Sequence, residues 1–154
     1  MFANRSMPES VVIPELAYRD VAEAVAWLCS AFGFKERLRI GDHRAQLSLG
    51  TGSVIVTRQE PTGVRVETPA LERRSPRQPA PSHSIMVRIE DVNGHHRHAL
   101  QHGARIVRPP ADHPFGERQY TAEDPGGHVW TFSQTLADVD PATWGGTQAD
   151  RPAP

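Results

Sequence analysis

The chain states one pattern twice. Residues 11–58 and 83–133 each read as a strand, a helix and three further strands. In the first copy, residues 11–18 lead into Asp20 and an apolar-faced helix that stops at Phe32-Gly33-Phe34. In the second, residues 83–89 lead into Asp91 and a helix that stops at His102-Gly103-Ala104. Each copy closes on a glycine turn and a β-rich run. These are Gly50-Thr51-Gly52 before Ser53-Val54-Ile55-Val56-Thr57, and Pro125-Gly126-Gly127 before His128-Val129-Trp130-Thr131-Phe132-Ser133. Two copies of one module with a concave sheet build a pocket from both halves, so the repeat places a site before anything says what the site does.

Local signals support the modules. Asp20 and Glu23 stand at capping-box spacing: the Asp20 carboxylate can accept an orphan amide and Glu23 can reach back. Val21, Val25, Leu28 and Phe32 follow helical spacing and form one buried stripe, with Gly33 as its stop. Two strands near 35–40 and 44–49 meet at Gly41-Asp42, which is hairpin turn chemistry. Pro14 points to an edge position or a bulge in the first strand. In the second module, Val92, Ala99 and Leu100 anchor a helix over 92–102, and 105–107 is a short strand. Residues 108–116, with Pro109, Pro110 and Pro114, read as an irregular loop. Trp130 alternates away from Thr131 and is expected under a helix, whereas Trp27 fits a core or an interface equally well. Residues 59–82 carry Pro61, Pro69, Pro76, Pro79 and Pro81 with Arg73, Arg74 and Arg77, and read as a wet linker. Residues 134–154 read as an extended or disordered tail that Trp144 can pin to the body.

Charge excludes some partners. The 154 residues carry 17 basic and 18 acidic side chains, a net charge of −1, with no block of one sign. Neither nucleic acid nor a membrane surface is the expected partner. No apolar run nears the roughly 18 residues a span needs. Met1-Phe2-Ala3-Asn4-Arg5 lacks the apolar stretch of a signal peptide, and a lone Cys29, read as a small buried group, fits a reducing compartment. A cytoplasmic location is expected. No G-x-S-x-G, Walker loop or C-x-x-C is present. Gly50-Thr51-Gly52 has no helix after it and reads as a hairpin turn. His43 beside Asp42 sits at a turn facing solvent.

The tandem βαβββ modules, the Asp that opens each helix and the Asp124-Pro125-Gly126-Gly127-His128 turn resemble the vicinal oxygen chelate superfamily. That group holds glyoxalase I, extradiol dioxygenases, fosfomycin-resistance enzymes and bleomycin-binding proteins. The run from Pro114-Phe115-Gly116-Glu117-Arg118-Gln119-Tyr120 to Trp130-Thr131-Phe132 is closest in texture to the glyoxalase/bleomycin-resistance branch. The resemblance covers residues 11–133. It implies an α+β fold in which two tandem modules form a curved mixed sheet with a central cavity, and it implies a homodimer.

Enzymes of this superfamily hold a divalent metal with side chains from the first and last strand of each module. The matching positions here read as Ile13, Val56, Ser84 and Thr131. Aliphatic carbon cannot donate to a metal, and a neutral hydroxyl is a weak ligand for a divalent ion. No metal site and no cofactor are therefore expected. A shifted register offers only Glu15 and His83. The helix group His95, His96, His98 and His102 reads as a solvated face, with His98 and His102 one turn apart.

The expected cavity lining is Ile13, Glu15, Ala17, Ser84, Met86, Arg88, Val54, Val56, Val129 and Thr131, mostly apolar with a few polar points. Phe115, Arg118 and Tyr120 match places where bleomycin-binding relatives contact ligand: two rings for stacking and one cation for an anion. The expected ligand-binding set is therefore Glu15, Met86, Arg88, Phe115, Arg118, Tyr120 and Thr131. The function this implies is metal-independent binding of a small, partly aromatic molecule, in the manner of drug-sequestering proteins. The alternative is a metal-dependent lyase, isomerase or dioxygenase that uses Glu15 and His83. A third reading is an accessory protein with a vestigial pocket.

Overall fold

A computed structural model describes residues 2–59 and 82–149. The first module runs β1 (Glu15–Tyr18), α1 (Val21–Phe32), β2 (Lys35–Ile40), β3 (Arg44–Leu49) and β4 (Gly52–Arg58). The second runs β5 (Ile85–Arg88), α2 (Val92–Gln101), β6 (Arg105–Asp112), β7 (Glu117–Glu123) and β8 (Val129–Thr135). Each module makes one four-stranded mixed sheet, in the orders β1-β4-β3-β2 and β5-β8-β7-β6. The helix carries the chain away from the first strand. Three strands then meander back until the last pairs in parallel with the first. This is an α+β fold of two tandem βαβββ modules.

Asp20 accepts a bond from the Glu23 amide (2.9 Å), and Asp91 accepts one from Gly94 (3.0 Å), so the same cap opens both helices. Gly33 ends α1 at φ 81°, a left-handed conformation that costs a side-chain-bearing residue, and Phe34 donates back to the Leu28 carbonyl.

Strand alternation then decides the faces. Leu16, Tyr18, Ala45, Leu47, Val54 and Val56 turn toward α1 and are buried. Tyr120, Ala122, Trp130 and Phe132 do the same toward α2. The two helical layers fuse into one core. Phe32, at the end of α1, lies 4.8 Å from the ring of Phe132 and 5.5 Å from Trp130. Each such aromatic contributes on the order of 2–3 kcal/mol by leaving water.

The opposite faces of the sheets differ. Over the first sheet, the Arg37 guanidinium donates to the Arg5 carbonyl and to the Gln46 side chain, and Gln46 donates to the Ser6 carbonyl. Ser10 bonds the Thr51 carbonyl and the Ser53 hydroxyl. This N-terminal strap buries Pro8, and Gln46 and Ile55 beneath it are each 2% exposed. The matching face of the second sheet is open, with Met86 63% exposed.

Several boundaries differ from the sequence reading. The first strand begins at Glu15 rather than at residue 11, after Pro14, which has no N–H to give a ladder. Residues 108–112 belong to β6 although Pro109 and Pro110 lie within it. That strand is the outer edge of its sheet, and shifts in register between Ile106 and Arg108 and between Arg108 and Ala111 absorb the prolines. The tail is structured through a short 3-10 helix, Pro141–Trp144, and Trp144 packs 5.4 Å from Phe115. Residues 60–81 of the expected linker and 150–154 of the tail lie outside the described residues.

Candidate functional site

Among the described residues the first strand of each module pairs on one side only, so β1 and β5 each leave a free edge where the modules meet. One end of that junction is locked. The Asp124 carboxylate is 4% exposed and accepts four bonds. The donors are the Tyr18 hydroxyl (2.5 Å), the Trp130 indole (3.0 Å) and the Gly126 and His128 amides (2.9 and 3.0 Å). The His128 ring donates to the Ala17 carbonyl at 2.8 Å, on the free edge of β1. A Cβ on Gly126 would lie 2.5 Å from the Tyr18 ring, so glycine is required for this close approach. Burial, the Asp124 charge and the hydrogen bond to it push the Tyr18 hydroxyl pKa well above its ordinary value, so it stays a donor. The Asp-Pro-Gly-Gly-His turn is thus the clasp between the modules.

The other end is open. Beyond a small crevice lined by Leu16, His83, Ile85, His128 and Val129, the junction widens to a cleft of about 1050 Å³. Its walls are every residue of 85–90 on one side and the β3–β4 turn with Val12 and Pro14 on the other. Phe32, Phe34, Trp130 and His95 line it from the helical layer. The volume suits a drug-sized ligand, for which pockets of about 300–1,000 Å³ are usual. The polar points are Arg88, Glu90, His95, Ser53 and Gln134.

His95 is fixed on both ring nitrogens. Nε2 faces the Phe32 carbonyl at 3.4 Å and Nδ1 the Tyr120 hydroxyl at 2.5 Å. The carbonyl can only accept, so Nε2 carries the proton and Tyr120 donates to Nδ1. Burial depresses the His95 pKa and raises that of Tyr120, which keeps both neutral. The expectation of a solvated histidine face holds for His98 and His102, which are exposed, but not for His95, which is partly buried and bonded on both nitrogens. His98 donates to the Ser30 carbonyl at 2.6 Å, and the Trp27 indole donates to the His102 carbonyl at 2.7 Å. His95 and His98 thus satisfy carbonyls at the C-terminal end of α1, which no intrahelical amide reaches.

The metal positions need one correction. Leu16 pairs with Val56 as Val87 pairs with Phe132, so the counterpart of Thr131 is Ile55, not Val56. Val56 points into the core and is 0% exposed. The corrected set is Ile13, Ile55, Ser84 and Thr131: two aliphatic carbons and two neutral hydroxyls, of which Thr131 is already bonded to Thr121 at 2.9 Å. These residues do not fit a divalent metal. Glu15 is paired with Arg44 at 2.5 Å, and His83 contacts the Ser82 hydroxyl. Among the described residues, no three His, Cys, Asp or Glu side chains converge as a metal site.

The seven expected ligand contacts separate in space. Met86 and Arg88 line the cleft. Thr131 lies beside Met86 in register, on the open face of the second sheet. Glu15 is on the corresponding face of the first. The other three lie elsewhere. Tyr120 is 1% exposed in the core beneath α2. Arg118 on β7 pairs with Asp112 on β6 at 2.6 Å and holds that carboxyl below its usual pKa. Phe115 lies in the β6–β7 turn, between His113 and Trp144. Sequence reasoning missed Phe34, Leu49, Ile85, Val87 and His95 as cleft residues. The readable signal was the topology, which puts the first strand of each module at an edge.

Residues 10–132 match the sequence model of the Glyoxalase/Bleomycin resistance protein/Dioxygenase superfamily. The crystal structure of TioX from Micromonospora sp. ML1 is similar at 37% identity, covering 82% of this chain and 99% of that one with a TM-score of 0.63. A glyoxalase-related enzyme from Fulvimarina pelagi shares the fold at 16% identity, covering 82% of this chain and 88% of that one, TM-score 0.60. Uncharacterized protein Mb0911c of Mycobacterium bovis is 26% identical over 139 residues, 86% of this chain and 88% of its own.

Proposed function

The chain belongs to the Glyoxalase/Bleomycin resistance protein/Dioxygenase superfamily, and we propose that within it this protein binds a small, partly aromatic organic molecule without a metal. The observation that carries this reading is the pairing of a large cleft with a set of metal positions that lacks donors. Phe34, Ile85 and Val87 give an apolar lining to a ligand ring, while Arg88 and Glu90 fix its orientation. Sequestration of an antibiotic or similar planar compound is the biological role that follows, with the protein acting as a homodimer. A cytoplasmic setting is the one in which a free thiol such as Cys29 persists.

No catalytic step is assigned. His95 is held neutral and bonded on both nitrogens, which suits a structural hydrogen bond better than proton transfer. The test combines two measurements. Tag-free protein is incubated with Zn²⁺, Mn²⁺, Ni²⁺ and Fe²⁺, dialysed, and assayed for metal by mass spectrometry. Separately, the neutral fluorophore N-phenyl-1-naphthylamine is titrated into the protein. Retention below about a tenth of an equivalent together with saturable fluorescence is expected, because a three-donor site holds its ion through dialysis. About one equivalent of metal, lost in the Glu15→Ala/His83→Ala double variant, would establish the metal-dependent enzyme instead.

A further inference from the structure

The cleft touches β5 in an unusual way. A pocket on one face of a strand meets every second residue, because side chains alternate. Here all of Ile85, Met86, Val87, Arg88, Ile89 and Glu90 line it, so the cleft runs along the edge of the strand rather than over a face. Among the described residues that edge is free, since there β5 pairs only with β8. The Ile89 amide donates to the Ser133 carbonyl at 2.9 Å. In a parallel ladder the same parity holds along the strand, so Val87 also turns its backbone groups to β8. Met86 and Arg88 turn theirs into the cleft. Backbone donors and acceptors beside apolar walls require partners.

From this geometry we propose, building on the aromatic-binding reading above, that the ligand is peptide-like. It lies extended in the cleft and adds to the free edge of β5 as a short strand. Its amides bond the N–H and C=O groups of Met86 and Arg88. Alternate ligand side chains turn toward Phe34, Ile85 and Val87, which is where an aromatic group is accepted. Strand addition takes affinity from the main chain and specificity from alternate side chains. The bound class is therefore defined by secondary amides at two-residue spacing plus at least one ring.

The test uses a capped, dansyl-tagged Val-Phe-Val-Thr peptide and two twins, each N-methylated at one alternating set of amides. Edge pairing engages one set only. One twin should bind at least about tenfold more weakly while the other stays near the parent. On binding, the amides of Met86 and Arg88 should become protected from hydrogen exchange. Met86→Pro removes an edge donor without touching the β8 ladder, and should weaken the peptide at least about tenfold. Equal binding of both twins overturns edge pairing, even if Met86→Pro fails to fold. Binding of the fluorophore without the peptide overturns this inference and leaves the aromatic-binding reading standing. Binding of neither overturns both. Protection of Met86 and Arg88 in concentrated protein without peptide would assign the edge to a second copy of the chain and overturn the proposal.

Discussion

The Asp124 clasp gives the sharpest prediction about stability. Its carboxylate receives two backbone and two side-chain donors, and the side-chain donors come from different modules: Tyr18 from β1 and Trp130 from β8. Asp124→Ala leaves all four without their acceptor. The Tyr18 hydroxyl and Trp130 indole are buried, and each orphaned donor costs about 1–3 kcal/mol. The Gly126 and His128 amides lie in a turn that water can reach, so they add less. The loss should be about 3–5 kcal/mol, a large part of the roughly 5–15 kcal/mol that holds a domain together. Asp124→Asn should cost less, about 1–3 kcal/mol, because an amide oxygen can still face one donor pair and Tyr18 can turn its hydroxyl to accept from the new NH₂. Tyr18→Phe removes one charge-assisted bond and should cost about 1.5–3 kcal/mol. In the Asp124→Ala background the same change should cost far less, since the two residues form one network. Urea unfolding measures all of this: a loss of 3–5 kcal/mol moves the midpoint by about 2 M at a typical slope. A midpoint shift for Asp124→Ala no larger than an exposed substitution gives, within about 0.5 kcal/mol, would refute the clasp.

Four further outcomes follow from the same geometry. Val87→Arg places a charge on the cleft wall and should abolish N-phenyl-1-naphthylamine binding, whereas Arg118→Ala, on β7 and outside the cleft lining, should leave it unchanged; fluorescence titration decides both. His95 has a folded pKa below its unfolded value near 6.5, so between those two values the unfolded chain binds the extra proton and stability falls as pH falls. His95→Gln should flatten that part of the stability–pH curve, measured by urea midpoints from pH 7.5 down to 5. Deleting residues 2–10 uncovers Ile55 and Gln46 and should cost about 1–3 kcal/mol, read as a lowered Tm, with no loss of fluorophore binding in the cleft. Trp144→Ala should raise proteolysis of the tail while moving Tm by only a few degrees, since Trp144 is itself 43% exposed.

Much of the fold was legible because repetition and periodicity are local. The α1 stripe of Val21, Val25, Leu28 and Phe32 is buried as its spacing predicts, and Asp20 and Gly33 mark the helix ends. Pro109 and Pro110 misled because a proline forbids a ladder bond only where the strand has a neighbour on that side. Whether β6 is an edge is a property of the whole sheet. The Val56 misplacement has a similar origin. Counting from each glycine turn assumes that both hairpins close in the same register, and they differ by one residue, which swaps the core face for the open one. His95 and His98 could not be read as caps for α1, because the contact spans 68 residues between His98 and Ser30. The candidate site was legible in place, at the meeting of the modules, and partly in content through Met86 and Arg88. The expectation for Phe115, Arg118 and Tyr120 came from matching a motif, and a motif match does not say which face of β7 a side chain takes.

The topology itself explains why a cleft exists at all. In each module the last strand inserts between the first strand and the rest, so the first strand becomes an edge with one row of unpaired backbone groups. A single module would expose that edge to aggregation. Two modules meeting edge to edge protect both, yet the edges cannot simply zip together. The fused helical layer, with Phe32 packed on Trp130 and Phe132, sets the spacing of the sheets, and the Asp124 clasp fixes one end. The other end is left as an apolar gap with β5 along one wall. Neither module alone has this gap, and no single strand carries its chemistry. The binding property is therefore expected to tolerate side-chain changes on the outer strands β2 and β6. It should respond sharply to changes that alter the distance between the modules. Asp124→Asn, which loosens the clasp without unfolding the chain, should for that reason weaken ligand binding at a site whose lining it does not join.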